Sequence, residues 1–184
     1  MTQGSFLSPG EGPIYSVSDA VKICLKAGGD MTGGALAFYE AVLEPGFGGP
    51  PAHIHRAHDE LFFVTRGTMR FRLEARMVDA PSGSFVFAPR NVAHAISNPR
   101  DEEATFVGVF APSRYENFFV ELADLADKRG GVPEPAEILE LMSRYDTEPA
   151  PEVLGGSGRV GRNVDRLTRS PYTPSRRPQL PALR

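Results

Sequence analysis

The chain has 184 residues, of which 41% are hydrophobic and 23% charged, enough for one globular domain with an appendage. A net charge of −3 singles out no polyanionic partner, and a lone cysteine, Cys24, rules out an internal disulfide and suits a reducing compartment. No apolar run approaches the roughly 18 residues of a membrane span, and MTQGSFLSPGEG lacks the basic and apolar regions of a secretion signal, so the expectation is a cytoplasmic protein without membrane contact.

Nineteen glycines and seventeen prolines predict frequent turns. Residues 1–13 read as an arm. Two short strands are expected over 14–27, with Cys24 as a buried, inert thiol. GGDMTGG is a connector, and ALAFYEAVL (35–43) a strand rich in aromatic and apolar residues. PGFGGPP forbids helix and favours an extended approach to His53.

His53 and His55 are two residues apart, so on a strand they share one face. Glu60 has the opposite parity. RAHD (56–59) is the irregular piece expected to reset the phase, after which Glu60, Phe62 and Val64 point the same way. Met69, Phe71 and Leu73 alternate with Arg70, Arg72 and Glu74, a half-exposed strand reached through an Arg66-Gly67 hairpin. Further short strands are expected before Pro81-Ser82-Gly83, over 84–88, from His94 to Asn98, and over 104–111. Roughly eight to ten such strands point to a barrel or sandwich. Phe38, Phe62, Met69, Phe71, Phe85, Phe87, Ile96 and Phe110 are its expected core.

The pattern changes at Ser113. SRYE reads as a capping box, with Phe118, Phe119, Leu122, Leu125 and Ala126 at helical spacing and Gly130-Gly131 as the stop. Residues 133–145 form a second helix, with Ile138, Leu141, Met142 and Tyr145 on its apolar face. The last 32 residues, 153–184, hold seven arginines and one acid, a net +6 that leaves −9 on the rest. They are proline-rich and aperiodic, and read as a disordered tail or an arm on a neighbour. A basic stripe can bind nucleic acid, but the near absence of aromatics and the acidic body argue against that partner. The divisions are thus an arm (1–13), a barrel (14–112), a helix pair packed on it (113–146) and a Pro/Arg-rich tail (147–184).

Imidazole and carboxylate together suit several divalent transition metals, and three or four protein ligands leave positions for substrate. Here the residues resemble a family. His53-x-His55-x4-Glu60-x6-Gly67 resembles the first motif of the cupin superfamily, and Gly83-x5-Pro89-x4-His94-x3-Asn98 the second. Phe47 and Asn91 stand where the motifs favour glycine. Asn91 tolerates the left-handed turn, and Phe47 has glycines on both sides. The resemblance implies a mainly β fold, a double-stranded β-helix (a jelly-roll-like barrel) with a C-terminal pair of α-helices. It implies His53, His55, Glu60 and His94 as ligands of one divalent metal (Fe, Ni, Mn, Co, Cu or Zn). Glu60 can also be read as an ion-pair partner. His58 is read as an exposed turn residue, with a substitute ligand or an acid/base group as alternatives.

The flanking strands and helices look like those of single-domain cupins similar to quercetin 2,3-dioxygenase. That implies a metal-dependent dioxygenase acting on a phenolic or enolic small molecule, with Glu60 as proton acceptor. The alternatives are a metal-dependent cyclase or isomerase, and a barrel that binds a small molecule without turning it over. A homodimer is expected, with the arm and strand 14–27 as donors to a neighbour's sheet edge.

Overall fold

A computed structural model describes residues 4–151. The elements run β1 (Ile14–Ser18), β2 (Val21–Ala27), α1 (Gly29–Thr32), β3 (Ala37–Leu43), β4 (His53–His55), β5 (Asp59–Arg66), β6 (Thr68–Leu73), β7 (Arg76–Pro81), β8 (Phe85–Ala88), β9 (His94–Ser97), β10 (Ala104–Ala111), α2 (Glu116–Arg129), α3 (Pro135–Arg144) and β11 (Thr147–Pro149). Two antiparallel sheets form, one of order β1-β2-β3-β10-β5-β8 and one of order β11-β4-β9-β6-β7. From β3 onward the chain passes repeatedly between them, which is the jelly-roll path. The predicted barrel is therefore a flattened one whose two sheets are not joined at their edges by hydrogen bonds.

Their inner faces close on a shared core. Leu43, Phe62, Val64 and Phe106 of the first sheet meet Met69, Phe71 and Ala80 of the second. The Phe62 and Phe71 rings touch across the gap at 5.1 Å. The alternation read in β5 holds: Glu60, Phe62 and Val64 are buried while Phe63 is exposed. Asn98, expected to be structural, is fully buried, and its Nδ2 donates to the carbonyls of Leu43, Glu44 and Glu102. Asn91 takes the left-handed conformation its place in the motif requires, with φ of 69°. At the β5–β6 hairpin Gly67 has φ of 71°, and a Cβ there would lie 2.6 Å from the Glu103 carbonyl oxygen.

Three expected core residues are not in the core. Phe38, Phe85 and Phe87 are 36%, 62% and 47% exposed, and β8 turns Val86 and Ala88 inward instead. Both faces of β8 are apolar, so alternation alone does not say which one is buried. Pairing decides it: Val86 lies opposite Phe62, whose ring already fills that part of the core.

The helix pair also differs in detail. Glu116 does not close a capping box with Ser113. It is buried, and its carboxylate accepts the backbone N–H of Gly29 (2.8 Å) and of Arg114 (2.6 Å), tying α1 to the start of α2. A capping box does form at α3, between Glu134 and Glu137. The helices do more than cover the outside. Tyr115 and Phe119 pack on Phe110, and Phe118 on both of them, joining the aromatic core, and α2 also lies against β1. Thr147–Pro149, placed in the tail by sequence, instead form β11, paired with β4. The rest of the tail, 152–184, lies outside the described residues. Among the described residues no helix is long and apolar enough to cross a membrane.

Candidate metal centre

The two histidines of β4 are held from both sides. β11 pairs Thr147 with His55 and Pro149 with His53, while β9 sets His94 directly opposite His53. After β4 the chain bends at Arg56 and Ala57 and re-enters the first sheet as β5, which brings Glu60 inside. Three imidazoles thus come from one sheet and the carboxylate from the other. The ring centroids are 4.9 Å apart for His53 and His55, 4.6 Å for His53 and His94, and 5.0 Å for His55 and His94.

Each imidazole is oriented by its Nδ1, which contacts the Pro51 carbonyl in His53 (2.9 Å), the Thr147 hydroxyl in His55 (2.8 Å) and the Val92 carbonyl in His94 (3.0 Å). Outer partners of this kind fix ring orientation and leave Nε2 for a cation. Nε2 of His55 and Nε2 of His94 each lie 3.2 Å from Glu60 Oε2, and one ligand atom from each of the four residues falls within 4.8 Å of the others. Two ligands bonded to a common ion at about 2.1 Å stand about 3.0 Å apart at right angles and about 4.2 Å apart when opposite. Side-chain shifts of a few tenths of an ångström therefore suffice, and the residues fit one divalent ion.

Electrostatics agree with that use. Burial pushes the His53 pKa down to about 3, helped by the charges of His94 and His55, so its ring is neutral and ready to ligate at neutral pH. Burial opposes ionisation of Glu60, but the hydrogen bonds from His55 and His94 outweigh it and hold the carboxyl well below the usual carboxylate range. Burial lowers the His55 pKa despite Glu60, whereas at His94 the Glu60 carboxylate outweighs burial and raises it. The remaining carboxylate oxygen, Glu60 Oε1, accepts a 2.7 Å hydrogen bond from the Tyr39 hydroxyl. Burial and then the Glu60 charge raise the Tyr39 pKa well above its ordinary value, so it remains a donor.

Residues 39–110 match the profile of the cupin domain family. Those residues are a cupin domain. No curated protein matches the sequence. Solved structures that resemble it include KdgF from Halomonas sp., 22% identical, covering 62% of this chain and 99% of that one at a TM-score of 0.55. An RmlC-like cupin from Shewanella frigidimarina is 20% identical, with 64% and 99% covered and a TM-score of 0.52. The polyketide cyclase RemF from Streptomyces resistomycificus is 16% identical, with 61% and 82% covered and a TM-score of 0.53. At these identities the likeness establishes the fold alone.

Within the cupin domain the structure brings together all four predicted ligands and leaves one histidine apart. His58 is not an exposed turn residue: it is 4% exposed, its ring lies 4.1 Å from that of His55 and 4.6 Å from that of Tyr115, and its Nε2 has no hydrogen-bond partner. It does not belong to the group of ligand atoms. Burial, then His55, pushes its pKa down to about 3. Sequence reasoning missed Tyr39 and Thr147 as supports of the centre. Nothing local marks them, since Tyr39 sits in an apolar strand and Thr147 is 92 residues from the imidazole it orients.

Proposed function

We propose that the cupin domain is a metal-dependent enzyme, a dioxygenase acting on a phenolic or enolic, flavonol-like small molecule. The observation that carries this reading is the convergence of three imidazole Nε2 atoms and one ionised carboxylate oxygen among aromatic side chains. A divalent transition metal held by His53, His55, Glu60 and His94 would supply Lewis acidity, lowering the pKa of a substrate hydroxyl beside it. In this reading Glu60 would accept that proton. Phe110 and Tyr115 meet the His55 ring edge-on and Phe62 that of His94, so the imidazoles sit in an aromatic wall suited to an apolar, planar ligand. Dioxygen is the co-substrate and the source of both oxygen atoms added.

Reconstituting metal-free protein with Fe(II), Ni(II) or Co(II) is expected to restore oxygen uptake with a flavonol. A broad panel of phenols and enediols that elicits none overturns the dioxygenase reading. A cyclase or isomerase would use the same four residues on an enolate without an oxidant, so turnover under anaerobic conditions assigns that chemistry instead. Tight binding of a small molecule with no turnover in either atmosphere assigns a binding protein. The single buried thiol, Cys24, suits the cytoplasm.

We also propose that a second copy of this chain covers the outer face of the first sheet. Register places Phe38, Val109, Leu61 and Phe87 in one outward row and Glu40, Val107, Phe63 and Phe85 in the next. Four of these are phenylalanines that are each a third or more exposed. The four strands span about 15 Å, and a stable dimer covers about 800 Å² per partner, more than this face offers alone. The N-terminal arm supplies the remainder: Phe6 is 84% exposed and lines, with Leu7, Lys26, Met31 and Glu40, a groove that continues the face. Light scattering should show a dimer for the wild type, and F63E/F85E should convert it to a monomer that still binds metal. A monomeric wild type overturns the proposal.

A further inference from the structure

We propose that Tyr39, together with Gly108, is a positioning residue that restricts Glu60 to ligation through a single oxygen, so that the carboxylate fills one position at the cation and not two. This rests on the metal centre described above and adds to it the reason one carboxylate oxygen is presented and the other withheld.

Four observations carry it. The Tyr39 hydroxyl donates to Glu60 Oε1 at 2.7 Å, while it is Oε2 that faces the imidazole nitrogens of His55 and His94. For Oε1 to swing into the donor group, that bond would have to break and leave a buried donor unpaired. Tyr39 itself cannot follow a moving carboxylate. It is 2% exposed, its ring stacks on Phe110 at 5.0 Å, and Phe106 and Phe119 meet it edge-on at 5.9 Å and 5.7 Å. Finally, the phenol lies across Gly108, its register partner on β10. A Cβ at that position would fall far inside van der Waals contact distance of the Tyr39 Cζ and hydroxyl oxygen, so glycine is what lets the phenol reach Glu60. A residue serving only to fill the core would not need its hydroxyl aimed at the one carboxylate in the centre, nor a glycine beneath its ring.

A second carboxylate oxygen on the ion would take the place of a substrate atom. Tyr39 therefore governs how many positions stay available, without touching substrate or ion.

Co(II) titration of metal-free protein, read by visible absorption, tests this. Wild type is expected to bind one Co(II). Tyr39→Phe, which keeps the ring, and Gly108→Ala, which pushes the phenol aside, should both weaken Co(II) binding by about 10- to 100-fold, the usual cost of losing an outer partner of a metal ligand. Both should also change the Co(II) bands in the same direction, as the released carboxylate turns its second oxygen to the ion. A role in packing alone would lower the melting temperature and leave the bands where they are. Bands and affinity equal to wild type in the folded variants overturn the proposal. So does X-ray absorption of Co(II)-loaded wild type showing both Glu60 oxygens on the ion, a measurement that needs no variant. Wild type that takes up no Co(II), Fe(II) or Ni(II) overturns the metal centre itself, and this role with it.

Discussion

Replacing His94 with alanine is expected to strip the protein of nearly all bound divalent metal while leaving both sheets folded. His94 is 1% exposed and is the one imidazole of the group supplied by β9. Its loss leaves two imidazoles and a carboxylate, and should cost more affinity than the about 10–100-fold typical of an outer partner. Folding should survive, because Glu60 keeps Tyr39 and His55 as hydrogen-bond partners and the main-chain pairing of β9 with β6 does not use the ring. His53→Ala should behave alike. His58→Ala is the control: it removes a histidine of similar depth that lies outside the ligand group, and should retain the metal. Elemental analysis of the purified variants, with far-UV circular dichroism for the fold, reads all three. A His94→Ala protein with wild-type metal content would show that the four side chains are not a shared site.

The largest loss of stability should follow Phe71→Ala. Its ring is fully buried, touches Phe62 across the gap, and sits on a strand paired on both sides, with Val78 and with Ile96. The paired strands cannot collapse into the space left behind, so the cost should fall in the range of about 3–5 kcal/mol for deletion of a buried aromatic ring. That is a large share of the about 5–15 kcal/mol that holds a domain folded. Phe85→Ala, on the outward side of β8, should cost far less in urea unfolding at concentrations too low for self-association. The two midpoints together show which face of the apolar strands is the core. A loss below about 1 kcal/mol at Phe71 would place the core elsewhere.

How far the site could be read before folding depended on how local each relation was. His53 and His55 share a strand and its two-residue period, so their common face follows from spacing. Glu60 needed one bend to reset its phase, and the polar RAHD run marked where. His94 was legible through the glycine, proline and asparagine around it, and Asn91 and Asn98 do the turn and loop work those positions imply. By contrast, His58 is buried because Tyr115 and Phe110, from distant parts of the chain, close over it.

By itself, then, the amino-acid order determined the mainly β class, the ends of most strands and the four residues that gather in the candidate metal centre, because alternation, turn chemistry and motif spacing act within a few residues. Only the tertiary structure decided which side of an apolar strand is core, as Phe85 and Phe87 show, and which atoms orient the ligands. Both depend on which strands become neighbours. The Thr147 support of His55 and the Tyr39–Gly108 hold on Glu60 exist only once β11 lies on β4, and β3 and β5 on either side of β10.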